Sequence, residues 1–185
     1  MSVFFFLIPL IIGFTFNMLS AFTAAFSRKW GNRRGSLVTV LFRDILGIPV
    51  WVIGFCLASL APSPYLFGRA SGVEIAGWCL IAAGGLIIVV AVISIRLRSL
   101  APTIKDSLAR SGLYANIRHP IHSGTILEFL GLFLVRPSAT IGAACALGVI
   151  WVFVQTMFEE QDLLQRIPEY REYIDRVPRF FPRIG

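Results

Sequence analysis

Four uncharged runs constrain this chain more than any other feature: residues 1–27, 45–68, 75–95 and 137–158 each pass without one acidic, basic or histidine side chain. A soluble domain of 185 residues has no interior able to hide four such runs. A bilayer does, since one helical crossing of its hydrocarbon core takes ~20 apolar residues. A composition 56% hydrophobic and 15% charged agrees. The apolar residues come in continuous blocks rather than short alternating runs, which predicts helices and not an outer-membrane barrel.

The blocks fall at residues 3–26, 37–60, 73–95, 121–135 and 139–158. Pro62 and Pro64 close the second, and Arg136-Pro137-Ser138 forms a turn between the last two. The expectation is an all-α, polytopic membrane bundle of about five transmembrane helices, the last two a hairpin, with a short amphipathic C-terminal helix. Residues 1–100 supply the first three helices, and residues 101–185 a connector, the hairpin and a C-terminal lid, all in one structural domain. The first block is too long for a signal peptide's apolar region and lacks a basic leader, so it reads as a retained span. At ~1.5 Å per residue the fourth block is short for a ~30 Å core. Gly84, Gly85 and the pairs Gly142/Ala146 and Ala144/Gly148 offer small residues for helix packing.

Arg28, Lys29, Arg33, Arg34, Arg96, Arg98, Lys105, Arg110 and Arg118 cluster beside the apolar blocks. Placing them on one side leaves Arg69 and Arg136 opposite, and the positive-inside rule then puts the N-terminus outside and the active site and C-terminus in the cytoplasm. The net charge of +7 is explained by orientation and anionic lipid, so nucleic acid is not an expected partner. Nor is an obligatory protein partner. Cys56, Cys79 and Cys145 lie inside apolar blocks with no metal-ligand spacing and read as reduced core residues.

In the tail, Leu163, Ile167, Tyr170, Ile174 and Val177 recur at spacings of four, three, four and three, an amphipathic stripe. Pro168 ends the preceding helix near Arg166 and opens a short one. The basic face of Arg166, Arg171, Arg176, Arg179 and Arg183 suits lipid headgroups, with the tail folded along the membrane over the cytoplasmic mouth.

Three constellations can carry chemistry: Ser111-Gly112-Leu113-Tyr114 with Arg118-His119-Pro120-Ile121-His122-Ser123-Gly124; Glu159-Glu160; and Tyr170, Tyr173 and Val177 to Pro182. Pro120 suits a helix first turn, whose free backbone donors form an anion site, though ordinary capping explains them equally. The two glutamates end an apolar helix, where the dipole disfavours them. They either pair with tail arginines or bind a cationic or hydroxyl-bearing ligand. Glu128 near mid-membrane is a functional candidate or a neutral side chain bonded to Thr125. Arg43 and Asp44, being adjacent, are expected on different sides of their helix, with Arg43 snorkelling. His119 and His122 are the only histidines, separated by Pro120 and without an HExxH or Cys/His array, so no metal is expected. No Walker loop, GxGxxG or GxSxG occurs.

The segment SGLYANIRHPIHSG, an apolar hairpin, then EEQDLL, EYREY and RVPRFFP resembles the isoprenylcysteine carboxyl methyltransferase family, over roughly residues 106–182. The superfamily also includes membrane phospholipid methyltransferases. The resemblance implies S-adenosylmethionine as cofactor, held between the RHP segment and the acidic pair beneath the lid. By motif, Asp106, Ser107, Leu108, Ala109, Tyr114, His119, Pro120, Ile121, His122, Glu159 and Glu160 would bind it, with Arg118, Gln155 and Glu159 as catalytic candidates. His122 stands where the family has tyrosine, and Ile167-Pro168 where it has Phe-Gly. Gln155 replaces an arginine that meets the substrate carboxylate, and an amide cannot make that bidentate contact. The implied function is methyl transfer to a lipophilic or small acceptor drawn from the membrane lipid phase. A sterol-reductase-like NADPH enzyme and a non-catalytic lipid-binding protein are the alternatives.

Overall fold

The computed structural model describes residues 4–95 and 108–183 and shows a helical membrane bundle. In order come α1 (Leu7–Leu19), α2 (Thr23–Trp30), α3 (Asn32–Val40), a π-helical segment (Leu41–Gly47) running into α4 (Ile48–Leu60), α5 (Ser71–Ile95), α6 (Pro120–Val135), α7 (Ala139–Arg166) and α8 (Tyr170–Arg176). Among the described residues, Asn32–Leu60, Ser71–Ile95 and Ala139–Arg166 are long and apolar enough to cross a membrane, and α6 is a shorter apolar helix.

The first block is not one straight span. It breaks at Ser20 to Phe22, and α1 and α2 meet at 62°. The break is held by polar groups no apolar count could reveal. Ser20 Oγ donates to the Asn17 carbonyl at 2.6 Å, and the Ala24 N–H at the start of α2 donates to Asp162 Oδ1 of α7 at 2.7 Å. A carboxylate from a distant helix thus caps α2, satisfying a first-turn donor.

The π-helical turn has two causes. Pro49 has no N–H for the carbonyl four residues back, and the Asn17 side chain enters the ladder, its Nδ2 donating to the Arg43 carbonyl at 3.2 Å. Arg43 and Asp44 do not separate as expected: the arginine folds back, with Nε 2.7 Å from Oδ1 and Nη2 3.0 Å from Oδ2. A long side chain overrides the angle between neighbouring Cβ atoms.

α5 and α6 run antiparallel in close contact through two glycine pairs. A Cβ built on Gly84 would lie 2.5 Å from the Gly124 carbonyl oxygen, and one on Gly131 2.5 Å from that of Gly77. Without a hydrophobic effect between helices in lipid, such backbone approach is a main source of association. Gly85, by contrast, meets only the flexible Glu128 carboxylate at 3.6 Å. Gly124→Leu is therefore expected to cost about 1–3 kcal/mol by overpacking, while Gly85→Ala changes little; thermal unfolding in detergent reads both. The small-residue pairs of α7 pack on aromatic rings instead, Gly148 on Phe129 and Gly142 on Phe133.

The hairpin turn falls where the sequence puts it. Ser138 Oγ accepts the Ile141 N–H, and the turn is pinned to residues 63–66 through Leu66 N–H to the Pro137 carbonyl and Thr140 N–H to Ser63 Oγ. Beneath it Phe14 stacks on Trp151 with centroids 4.7 Å apart, and Phe55 on Phe129 at 5.1 Å, forming the aromatic core. Of the cysteines only Cys145 is buried; Cys56 and Cys79 face outward, which corrects their reading as core residues.

The tail stripe is real but turns inward. Ile167, Tyr170, Tyr173 and Val177 are buried together with Leu108, Leu163 and Ile174 packed on them. Two of the arginines assigned to headgroups pair with carboxylates of α7 instead: buried Arg166 with Asp162 at 2.6 Å and half-buried Arg179 with Glu160.

Candidate functional site

A cavity of about 680 Å³ opens where α1, the α3–α4 span, α6, α7 and the tail converge. Of the residues singled out by motif, Leu108, Ala109, Tyr114, Arg118, His119, Ile121, His122, Gln155 and Glu159 line it. Pro120 is fully buried at the first turn of α6, beside the cavity rather than in its wall. Asp106 and Ser107 lie outside the described residues, as do Arg96, Arg98 and Lys105. Glu128 does not line the cavity; it lies against α5, and the Thr125 hydroxyl donates to the Ile121 carbonyl instead of to it.

The adjacent glutamates separate into two jobs because successive residues on a helix point about 100° apart. Glu160 faces the tail: its carboxylate takes Arg179 through Nε at 3.1 Å and Nη2, and Arg118 Nη2 at 3.3 Å. Pairing with tail arginines is thus correct for one glutamate. Glu159 faces the cavity, where Gln155 Nε2, one turn earlier, donates to its Oε1 at 2.8 Å. The neutral amide fixes the carboxylate without neutralising it.

His119 joins the two. Its Nε2 lies 3.1 Å from Glu160 Oε1 and its Nδ1 3.6 Å from Glu159 Oε2. Burial opposes a charged imidazole, but hydrogen bonds and charge from both carboxylates outweigh it and hold the His119 pKa above its ordinary value. His122 Nε2 stands 3.8 Å from Glu159 Oε1. The ligand atoms of His119, His122 and Glu159 all lie within 4.8 Å of one another, a convergence that spacing around the two histidines could not show because the third member comes from α7.

The tail is tied to the start of α6 by hydrogen bonds to its backbone carbonyls. Arg118 and His119 donate their N–H groups to the carbonyls of Pro178 and Arg179 at 2.9 and 3.0 Å, and Ser123 Oγ donates to the Phe180 carbonyl at 2.7 Å. Arg118 Nη1 donates to the Ile174 carbonyl, and the Tyr173 hydroxyl to the Tyr114 carbonyl. Burial pushes the Tyr173 phenol up to about 12. Tyr114 and Tyr170 are also raised, by burial first and then by the glutamates. All three remain neutral hydrogen-bonding groups at physiological pH, not bases.

Sequence reasoning missed the N-terminal contribution to the wall. Asn17, Ser20, Thr23, Thr39, Arg43 and Trp51 line the same cavity. The signal available was the presence of small polar residues inside otherwise apolar blocks. Trp51 Nε1, Trp151 Nε1, Tyr170 OH and Gln155 Oε1, all in lining residues, are buried without a hydrogen-bond partner among the described residues. A buried polar atom left unpaired costs ~1–3 kcal/mol.

Residues 73–171 match the family model described as phospholipid methyltransferase, over half of the chain. The chain is 33% identical over 81 residues to the cobalt-zinc-cadmium resistance protein CzcN of Cupriavidus metallidurans, covering 43% of this chain and 38% of that protein. It is also 33% identical over 79 residues to the nickel-cobalt-cadmium resistance protein NccN of Alcaligenes xylosoxydans xylosoxydans, covering 42% and 37%. The match spans less than two-fifths of either relative. No solved structure matches the chain.

Proposed function

Because the chain belongs to the phospholipid methyltransferase family, we propose that it transfers a methyl group from S-adenosylmethionine to a small or lipophilic acceptor, in the cavity beneath the tail. The observation that carries this reading is a carboxylate, Glu159, held in place by Gln155 and facing one cavity of small-molecule size. A volume of about 680 Å³ lies in the ~300–1,000 Å³ range of small-molecule sites.

The cofactor supplies a methyl group on a positively charged sulfur, and transfer is an in-line displacement that needs positioning more than strong acid or base catalysis. Glu159 supplies the negative charge facing that cation, and Gln155 and His119 hold its two oxygens. Trp51, Trp151 and Tyr170 supply aromatic wall to the cavity. Leu108, Ala109, Tyr114, Ile121 and His122 complete the wall; Asp106 and Ser107 are assigned by the motif alone. Arg118, held by Glu160 and the Ile174 carbonyl, orients the lid.

The acceptor enters from the bilayer side, where Ile48 and Trp51 line the cavity, and the cofactor from the cytoplasm. Gln155 is spent on Glu159, so the carboxylate-binding arginine of the isoprenylcysteine enzymes has no counterpart at that position. This favours an uncharged or amine acceptor over a prenylcysteine carboxylate. The curated relatives' resistance roles do not extend to this chain on so short a match.

The test is calorimetric titration of detergent-purified protein with S-adenosylmethionine and, separately, NADPH. Saturable binding of the first with none of the second is expected; NADPH binding alone would replace methyl transfer with a reductase.

A further inference from the structure

We propose that His119, His122 and Glu159 form a binding site for a divalent first-row transition metal ion such as zinc or cobalt, in the wall of the cavity. The inference goes beyond methyl transfer and does not rest on it; both ligands draw on Glu159, so metal and cofactor occupy the site alternately and not together.

Two imidazoles and a carboxylate suit zinc and its neighbours. His119 Nδ1 is 3.6 Å and His122 Nε2 3.8 Å from separate oxygens of Glu159, and the three ligand atoms lie within 4.8 Å. Donors ~2.0–2.2 Å from a metal sit ~3.4 Å apart in a tetrahedron, so small side-chain rotations close the set. All three residues line the cavity, which leaves the remaining coordination positions open to solvent or a ligand.

The surroundings are those a metal site requires. His119 turns its other nitrogen, Nε2, to Glu160 at 3.1 Å, and Glu160 is in turn fixed by Arg179 and Arg118. A carboxylate behind a ligating imidazole sets its tautomer and ring orientation. Gln155 does the same for the ligating carboxylate through its 2.8 Å bond to Glu159 Oε1. His122 supplies the donor without which only two ligands remain.

The experiment is titration of the metal-free, detergent-purified full chain with Co²⁺, followed by visible absorption, and then displacement by Zn²⁺. The expected result is saturable d–d bands of a four- or five-coordinate ion, bleached by one equivalent of Zn²⁺. His122→Phe, which keeps an aromatic ring against Trp151, is expected to abolish them with an unchanged melting temperature. Gln155→Leu, acting only through Glu159, is expected to weaken binding about 10–100-fold. A folded wild-type protein showing only the spectrum of aqueous Co²⁺, or equal affinity in wild type and His122→Phe, overturns the site. S-adenosylmethionine titration of the same metal-free preparation reads the methyltransferase proposal separately, so either can fail alone.

Discussion

Glu159→Gln is expected to weaken S-adenosylmethionine binding by about 1.5–3 kcal/mol, roughly 10- to 150-fold, the range for a lost hydrogen bond to a charged group. The signature is a split between ligands. S-adenosylhomocysteine, which lacks the sulfonium charge, should lose distinctly less, because the substitution removes charge and keeps shape. Calorimetry of both ligands on wild type and variant measures the difference. Equal losses would mean that Glu159 acts by packing and that the cation is recognised elsewhere.

The second large effect is on stability. Glu160 is the shared partner of Arg118, Arg179 and His119, and it and Arg118 are almost wholly buried. Glu160→Ala leaves those cations uncompensated, for which a cost of about 3–5 kcal/mol is expected. Thermal unfolding in detergent should show it directly. Combining Glu160→Ala with Arg179→Met should recover part of the loss, since the double change removes one stranded charge, and a cycle of the four proteins isolates the coupling. A strictly additive pair would mean that the lid is held by its backbone bonds alone.

The legible parts of this fold were those written in local pattern. Pro168 and Arg136-Pro137-Ser138 announced where helices end, and the structure ends α7 at Arg166 and α6 at Val135. Three of the four long uncharged runs announced straight spans, and the first turned out bent. What stayed hidden depends on contacts between distant segments. The bend at Ser20 exists because Asp162 reaches back to cap α2, and the π turn because Asn17 meets the Arg43 carbonyl. Neither partner is visible from the bent element itself. At the site, the motifs placed Glu159 and Glu160 together, but only the helix geometry divides them, one toward the cavity and one toward the tail. The inward turn of Arg166 and Arg179 was unreadable for the same reason: a basic residue on an amphipathic face looks alike whether its counter-charge is a lipid or a buried carboxylate.

The hydrogen bonds that tie residues 118–123 to residues 178–180 set an order for biogenesis. The RHP segment leaves the ribosome before α7, and the segment that pins it is made after α8. During synthesis the hairpin therefore inserts with its site unassembled, and Arg118 waits for Glu160 and then for residues 178–180. A nascent chain stopped after α8 would hold every helix described above and still lack the contacts made by residues 178–180. The contacts that close the tail over the cavity therefore form last, after the described helices have been made.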